Sequence, residues 1–285
     1  MIEIGSYKID LIETCRFGLD GGAMFGVVPK TLWERAYAPA DVRNRIPMAA
    51  KALLLRSADR TILVDTGNSP FMAEKLLEIY GIDFSQFTIE NSLARLGVAV
   101  DDVTDVILTH LHFDHAGGAV IERDGELVPR FPRATYFVQS KQLDWARKPS
   151  LKDRASFMGE HYEPLANLNV LELLDGEGEL FPGINLYTVH GHSPFMQVVQ
   201  VGGEGGLFYA ADLMPTSAHV PLPYGMAYDN EPLKTIAEKQ RFHPRMIEEN
   251  WTVVFEHCAL RQAAKVVMGD KGAMLGDDVV ITAYD

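Results

Sequence analysis

The sequence predicts an α/β fold, on three observations. Short apolar runs of strand character recur along the chain: 49–57 (AAKALLLRS), 61–66 (TILVDT), 103–109, 134–139 (ATYFVQ), 207–213 (LFYAADL) and 251–258 (WTVVFEHC). Stretches of helical period lie among them, at 71–80 (FMAEKLLEIY), 86–96 and 140–147. Several of the runs end on a histidine or an aspartate, and sheet enzymes build their sites where strand ends converge.

In chain order, Ile2, Ile4, Ile9 and Leu11 alternate as strand, with a hairpin near Gly5-Ser6. Residues 18–30 (GLDGGAMFGVVPK) do not make a phosphate loop, because Lys30-Thr31 follows Pro29 rather than glycine. A mobile apolar loop is expected there, serving as pocket wall, dimer contact or plain packing. Trp33, Tyr37, Pro39 and Pro47 mark a helical turn and an extended link. The runs 49–57 and 61–66 flank Ala58-Asp59-Arg60 as a buried hairpin. Ser69-Pro70 starts the 71–80 helix, and Gly97 ends the next one. A hairpin around Asp124-Gly125 covers 120–131, and 148–161 reads as a charged surface excursion. A strand at 169–174, a turn at 175–178 and a strand–turn–strand at 186–201 follow.

The chain has 285 residues, enough for a large core, and its 47% hydrophobic content is that of a water-soluble globular protein. The net charge of -13 disfavours nucleic acid and anionic membranes as partners. No run of apolar residues is long enough for a transmembrane helix, and MIEIGSYKIDLIE lacks the basic-then-apolar form of a signal peptide. Cys15 and Cys258 form no disulfide framework, so a cytoplasmic location is expected.

The chemistry concentrates in residues 109–118, THLHFDHAGG. His110, His112, Asp114 and His115 are ligand types for zinc, iron or manganese. Continued strand geometry would point 110, 112 and 114 in one direction, with His115 from the turn. Three histidines and an aspartate beside a buried strand are too costly to bury unpaired for packing to explain them. Asp65, closing TILVDT, is either an Asx-turn cap or the orienting partner of a ligand histidine. His190, His192, Asp212 and His257 each follow or end a later apolar strand.

These residues resemble the metallo-beta-lactamase-fold hydrolase superfamily, most closely its lactonase and organophosphate hydrolase branch. The resemblance rests on VDTG, THLHFDHAGG, Gly191-His192-Ser193-Pro194, Asp212 and His257, and covers nearly the whole chain. It implies a four-layer αββα sandwich, read as one domain over 1–285. It further implies that His110, His112 and His192 hold one divalent metal and Asp114, His115 and His257 another, with Asp212 bridging. Zinc is the expected metal, with iron or manganese as alternatives. The implied activity is a binuclear hydrolase in which a metal-bridging hydroxide attacks an ester or lactone carbonyl of a small apolar substrate. Asp114 is the candidate proton shuttle. The chain departs from the family pattern at Phe195 and Met196, and Pro215 stands where several lactonases have tyrosine; Tyr224 or Tyr228 could reach the same space. Met24, Phe25, Phe195, Met196 and Met214 are either an apolar pocket or core. Competing readings are a phosphotriester hydrolase, a glutathione-thioester hydrolase using Lys239, Arg241 and Arg245, a mono-iron dioxygenase on His110, His112 and Asp212, and a small-molecule sensor. On a helix those three basic residues would otherwise form a solvated face. The segment 24–39 is a candidate homodimer surface.

Overall fold

The computed structural model describes residues 1–283; the last two residues of the expected 1–285 domain lie outside them. By its internal contacts the chain forms two compact units, Met1–Phe17 with Ala49–Gly176, and Gly18–Met48 with the chain from Glu177 onward. Each unit carries strands and helices, so the α/β class read from the sequence is the one observed.

The first unit opens on the expected hairpin, β1 (Ile2–Ile4) with β2 (Tyr7–Asp20), in the register Ile2↔Ile9 and Ile4↔Tyr7. The end of β2 lies in the second unit, and there the expected loop is a helix. The Asp20 carboxylate accepts from Ala23 N at 2.9 Å and starts α1 (Gly21–Phe25), followed by α2 (Lys30–Ala36). Asx capping of a short apolar segment is what a loop reading misses.

Back in the first unit, β3 (Arg45–Arg56) and β4 (Thr61–Val64) pair antiparallel, Leu53 against Val64. Helices α3 (Glu74–Tyr80) and α4 (Ile89–Arg95) follow, the second capped by Thr88 Oγ1 on Asn91 N. Then β5 (Asp105–Ile107) pairs parallel with β4. After the short helix α5 (Phe113–Ala116), β6 (Val120–Arg123) and β7 (Glu126–Pro129) form a separate hairpin. Next, β8 (Thr135–Gln139) adds parallel to β5; α6 (Ser140–Arg147) and α7 (Glu163–Asn167) lead to β9 (Leu171–Leu174), parallel to β8. The sheet order is β1-β2-β3-β4-β5-β8-β9. The inner parallel strands β4, β5 and β8 are largely apolar and buried, as strands covered on both faces are, whereas the edge strand β9 (LELL) exposes Leu173. Leu54, Leu63, Val106 and Val138 pack there with Leu93, Leu143 and Leu165 of the helices. Each such side chain stabilises the fold by about 1.5–3 kcal/mol.

The second unit is a near-meander: β10 (Gly178–Phe181), β11 (Ile184–Val189), β12 (Met196–Val201) and β13 (Leu207–Tyr209) are antiparallel neighbours. Helix α8 (Pro232–Glu248) then allows β14 (Thr252–Val254) to lie parallel to β13. A final hairpin, β15 (Ala263–Gly269) and β16 (Gly272–Val279), completes the sheet. The sequence expectation contains no element after 258. Residues 24–39 are interior to this unit: Met24, Phe25, Trp33 and Tyr37 are buried, and Phe25 stacks on Trp33 at 5.5 Å. The aromatic residues are packed inside this unit, and of the segment's large apolar side chains Val27 and Leu32 are exposed.

Candidate metal-binding clusters

In the first unit β5 stops at Ile107, and alternation does not continue through the motif. The chain turns, and Asp114 and His115 fall in the first turn of α5 with His112 as its N-cap. The helix, not the strand, therefore presents Asp114. Asp65 holds this turn from β4's end. Its backbone N–H donates to Ile107 O at 2.9 Å, and its carboxylate accepts from Thr109 N and Thr109 Oγ1, both at 2.7 Å. The same carboxylate lies 3.1 Å from His115 Nδ1. Asp65 is thus placed beside the ring of His115, as the second of its two readings expects. Thr66 adds N–H and hydroxyl bonds, each 2.8 Å, to His115 O. Gly67 is required there: its φ is +69°, and a Cβ would meet Thr14 Oγ1 at 2.0 Å.

All four ligand candidates of the motif are buried. Thr109 Oγ1 lies 3.1 Å from His110 Nδ1, and His110 Nε2 faces His112 Nδ1 at 3.1 Å. The His110 and His115 ring centres are 3.9 Å apart, and Asp114 Oδ1 is 3.9 Å from His115 Nε2. Facing imidazole nitrogens and a neighbouring carboxylate are a donor set suited to a divalent cation.

In the second unit the Gly191-His192 turn, the end of β13 and the end of β14 meet. His192 Nε2 is 3.1 Å from Asp212 Oδ2, and His257 Nε2 is 3.3 Å from Asp212 Oδ1. One carboxylate thus has an imidazole nitrogen near each oxygen. His192 Nδ1 is turned to Asp229 Oδ1 at 3.3 Å. Ala211 and Phe195, beside these ligands, have φ of +44° and +61°. Among the described residues the other non-glycine residues with positive φ are all Asn or Asp. Left-handed backbone at Ala and Phe costs about 1–3 kcal/mol and is characteristic of functional sites.

Of the two histidines in this turn, His192 is the one beside Asp212. His190 Nδ1 accepts from Phe195 N at 3.1 Å and closes the turn. Met24, Phe25, Met196 and Met214 are buried, and Phe195 is half-buried. Phe25 packs against Trp33, His219 and Tyr224, so it belongs to the core.

Sequence reasoning missed Asp229 and Glu238, and it read Lys239 only as a basic residue for a substrate or a solvated face. Glu238 accepts from His190 N at 2.6 Å and Gly191 N at 3.1 Å; burial raises its pKa, against the pull of those two N–H groups. Lys239 is fully buried and its ammonium donates to three backbone carbonyls, so it is not part of a solvated basic face. Burial pulls its pKa down to about 7, with Asp229 opposing. Arg241 is paired with Glu177 at 2.8 Å. No local pattern marked Asp229, which sits in the polar turn 227–230. Among the described residues no helix is long and apolar enough to cross a membrane.

The chain matches the sequence profile of the metallo-beta-lactamase superfamily over residues 45–269. It is 32% identical over 164 residues to an N-acyl homoserine lactonase of Bacillus thuringiensis, a match covering 53% of this chain and 57% of the relative. The chain thus spans little more than half the length of that curated relative. A probable metal-dependent hydrolase from Staphylococcus aureus has the same fold, with a TM-score of 0.85 at 28% identity, covering 98% of this chain and 100% of that one. The dizinc quorum-quenching lactonase AidC superposes with a TM-score of 0.80 at 19% identity over 98% of this chain and 97% of that one, a likeness of fold.

Proposed function

The chain belongs to the metallo-beta-lactamase superfamily, and from that premise we propose that it is a metal-dependent hydrolase acting on a small lactone or ester. The reading takes 1–285 as one domain of that fold. In this reading His110, His112 and His192 would hold one divalent metal ion and Asp114, His115 and His257 a second, with Asp212 available to both. The observation that carries it is the set of oxygens turned to ring nitrogens. Thr109 lies at Nδ1 of His110, Asp65 at Nδ1 of His115 and Asp229 at Nδ1 of His192. Ligand histidines are held in this way, because the partner selects the tautomer and raises the basicity of Nε2. Zinc is the first candidate for a His/Asp set, with iron or manganese next.

Divalent metal ions bound there supply Lewis acidity and bring the pKa of water near neutrality. The residues of the chain do the rest. Asp65 and Asp229 orient the ligand rings. Asp114 accepts a hydrogen bond from the attacking water and carries its proton toward the leaving oxygen. The lactonase relative supports a lactone as substrate, while Pro215 in place of the tyrosine leaves the carbonyl to other donors. A glutathione-thioester substrate loses support, since Lys239 is buried and Arg241 is held by Glu177.

Elemental analysis of the purified protein, with a panel of lactones, aryl esters, glutathione thioesters and phosphotriesters, tests the reading. The expected result is about two transition-metal equivalents per chain with lactone or ester turnover. One iron with oxygen consumption and no hydrolysis would replace it with the dioxygenase reading.

A further inference from the structure

Helix α8 contributes no metal ligand, yet it holds the turn and the loop on which His192 depends. The turn is fixed through the main chain: Glu238 accepts from His190 N and Gly191 N, Glu231 N donates to Gly191 O at 2.8 Å, and Asn230 donates to His192 O through both its backbone N (3.1 Å) and Nδ2 (3.0 Å). Gly191 lies so close to the helix that a Cβ would stand 2.3 Å from Thr235 N. The ring is fixed separately, by Asp229 at Nδ1. Asp229 sits on the loop that Lys239 gathers. Lys239 Nζ reaches His219 O at 2.7 Å, Pro221 O at 2.9 Å and Tyr224 O at 2.9 Å. Three acceptors around one nitrogen use all three N–H bonds of an ammonium group. A buried cation satisfied by main-chain carbonyls alone leaves the Asp229 carboxylate for the imidazole. Met226 N, at 3.1 Å from Asp229 Oδ2, completes its seat.

We propose that Glu238 and Lys239, neighbours on α8, are positioning residues for the metal ligand His192. Glu238 sets the backbone of the histidine and Lys239 sets, through the 219–229 loop, the carboxylate that orients its ring. The proposal rests on the metal-dependent reading above. It predicts that metal affinity and not only folding depends on two side chains that touch neither metal nor substrate.

The test is competition between zinc-loaded protein and a chromogenic zinc chelator, with thermal melts of the same samples. Asp229→Asn is expected to weaken the affected zinc equivalent about 10–100-fold, as loss of a carboxylate behind a ligand histidine does. Lys239→Met should weaken it in the same direction. The double variant Lys239→Met/Asp229→Asn should be no weaker than Asp229→Asn alone, because both act through one carboxylate. Glu238→Gln, at a half-buried position where the amide keeps the shape but only one of the two acceptor oxygens, carries the test if Lys239→Met does not fold. It should loosen zinc while the melt is little changed. Zinc affinity at the wild-type level in folded Lys239→Met or Glu238→Gln would overturn the proposal, as would additive losses in the double variant. Wild-type protein that binds no zinc or other divalent metal would instead overturn the metal-dependent reading itself.

Discussion

At the scale of single residues, the chemistry depends on atoms being paired at the correct nitrogen or oxygen. Asp212 meets an imidazole on each carboxylate oxygen. Asp212→Ala is therefore expected to lower bound metal below about two equivalents per chain and abolish hydrolysis; activity near wild type with full metal content would remove the bridging role. A second prediction concerns His219, outside the proposed ligand set. It is buried, donates from Nε2 to Met24 O at 2.8 Å, and lies with Nδ1 2.8 Å from Thr216 Oγ1, a pairing suited to the neutral ring. Burial lowers its pKa to about 4 from the ordinary 6.5. The unfolded chain thus binds a proton at this group between pH 6.5 and 4 that the folded chain does not. Stability is full above 6.5 and falls as the pH drops toward 4, by about 3 kcal/mol for such a shift. Urea unfolding of wild type and His219→Gln across that range should show a shallower acid decline in the variant; parallel curves would refute it. The candidate ligands were legible because five of the residues involved lie in contiguous motifs, THLHFDHAGG and GHSP. Asp229 was not, because its partner is 37 positions away.

At the scale of elements, close approach sets the geometry. The turn between β11 and β12 packs its glycine onto the first turns of α8, and the helix answers with Glu238. Gly191→Ala would force a methyl into Thr235 N and Oγ1, each 2.3 Å away. Backbone cannot yield as a side-chain tip does, so a loss of about 1–3 kcal/mol in urea unfolding is expected, with weaker zinc retention. Wild-type stability and retention would show that the turn is free to move. Strand ends were also misjudged in an instructive way. The 103–109 run carries apolar side chains at Val103 and Val106–Leu108, but the parallel ladder covers only Asp105–Ile107; Val103 and Leu108 are buried beyond it. Hydrophobicity reports burial, and only hydrogen-bond partners report where pairing stops. The same limit explains α1: Asp20 capping Ala23 N turns a glycine-rich loop signal into a helix.

At the scale of the whole molecule, the net charge of -13 and the proposed metal sites act together. Divalent cations bound to the native state stabilise it by mass action, by about 2.7 kcal/mol at a free concentration of 100 times Kd. Removing metal with a chelator should lower the melting temperature, and added zinc should restore it. A melt unchanged after complete metal removal would count against metal-linked stability. The extent of the second sheet was beyond the sequence reading, because β15 and β16 carry exposed Met268 and Met274 and no clean alternation.

The sequence alone determined the α/β class, the ligand types and their spacing, because those are properties of contiguous residues: apolar runs, a motif of ten positions, a glycine before a histidine. It could not decide which histidine nitrogen meets which oxygen, nor that Lys239 is an internal cation. Each of those depends on groups brought together from distant positions, 48 apart for Glu238 and His190 and 20 apart for Lys239 and His219. Desolvation then makes these pairings obligatory: a buried amine, imidazole or carboxylate must find its partners inside the fold, and only the tertiary structure says where they are.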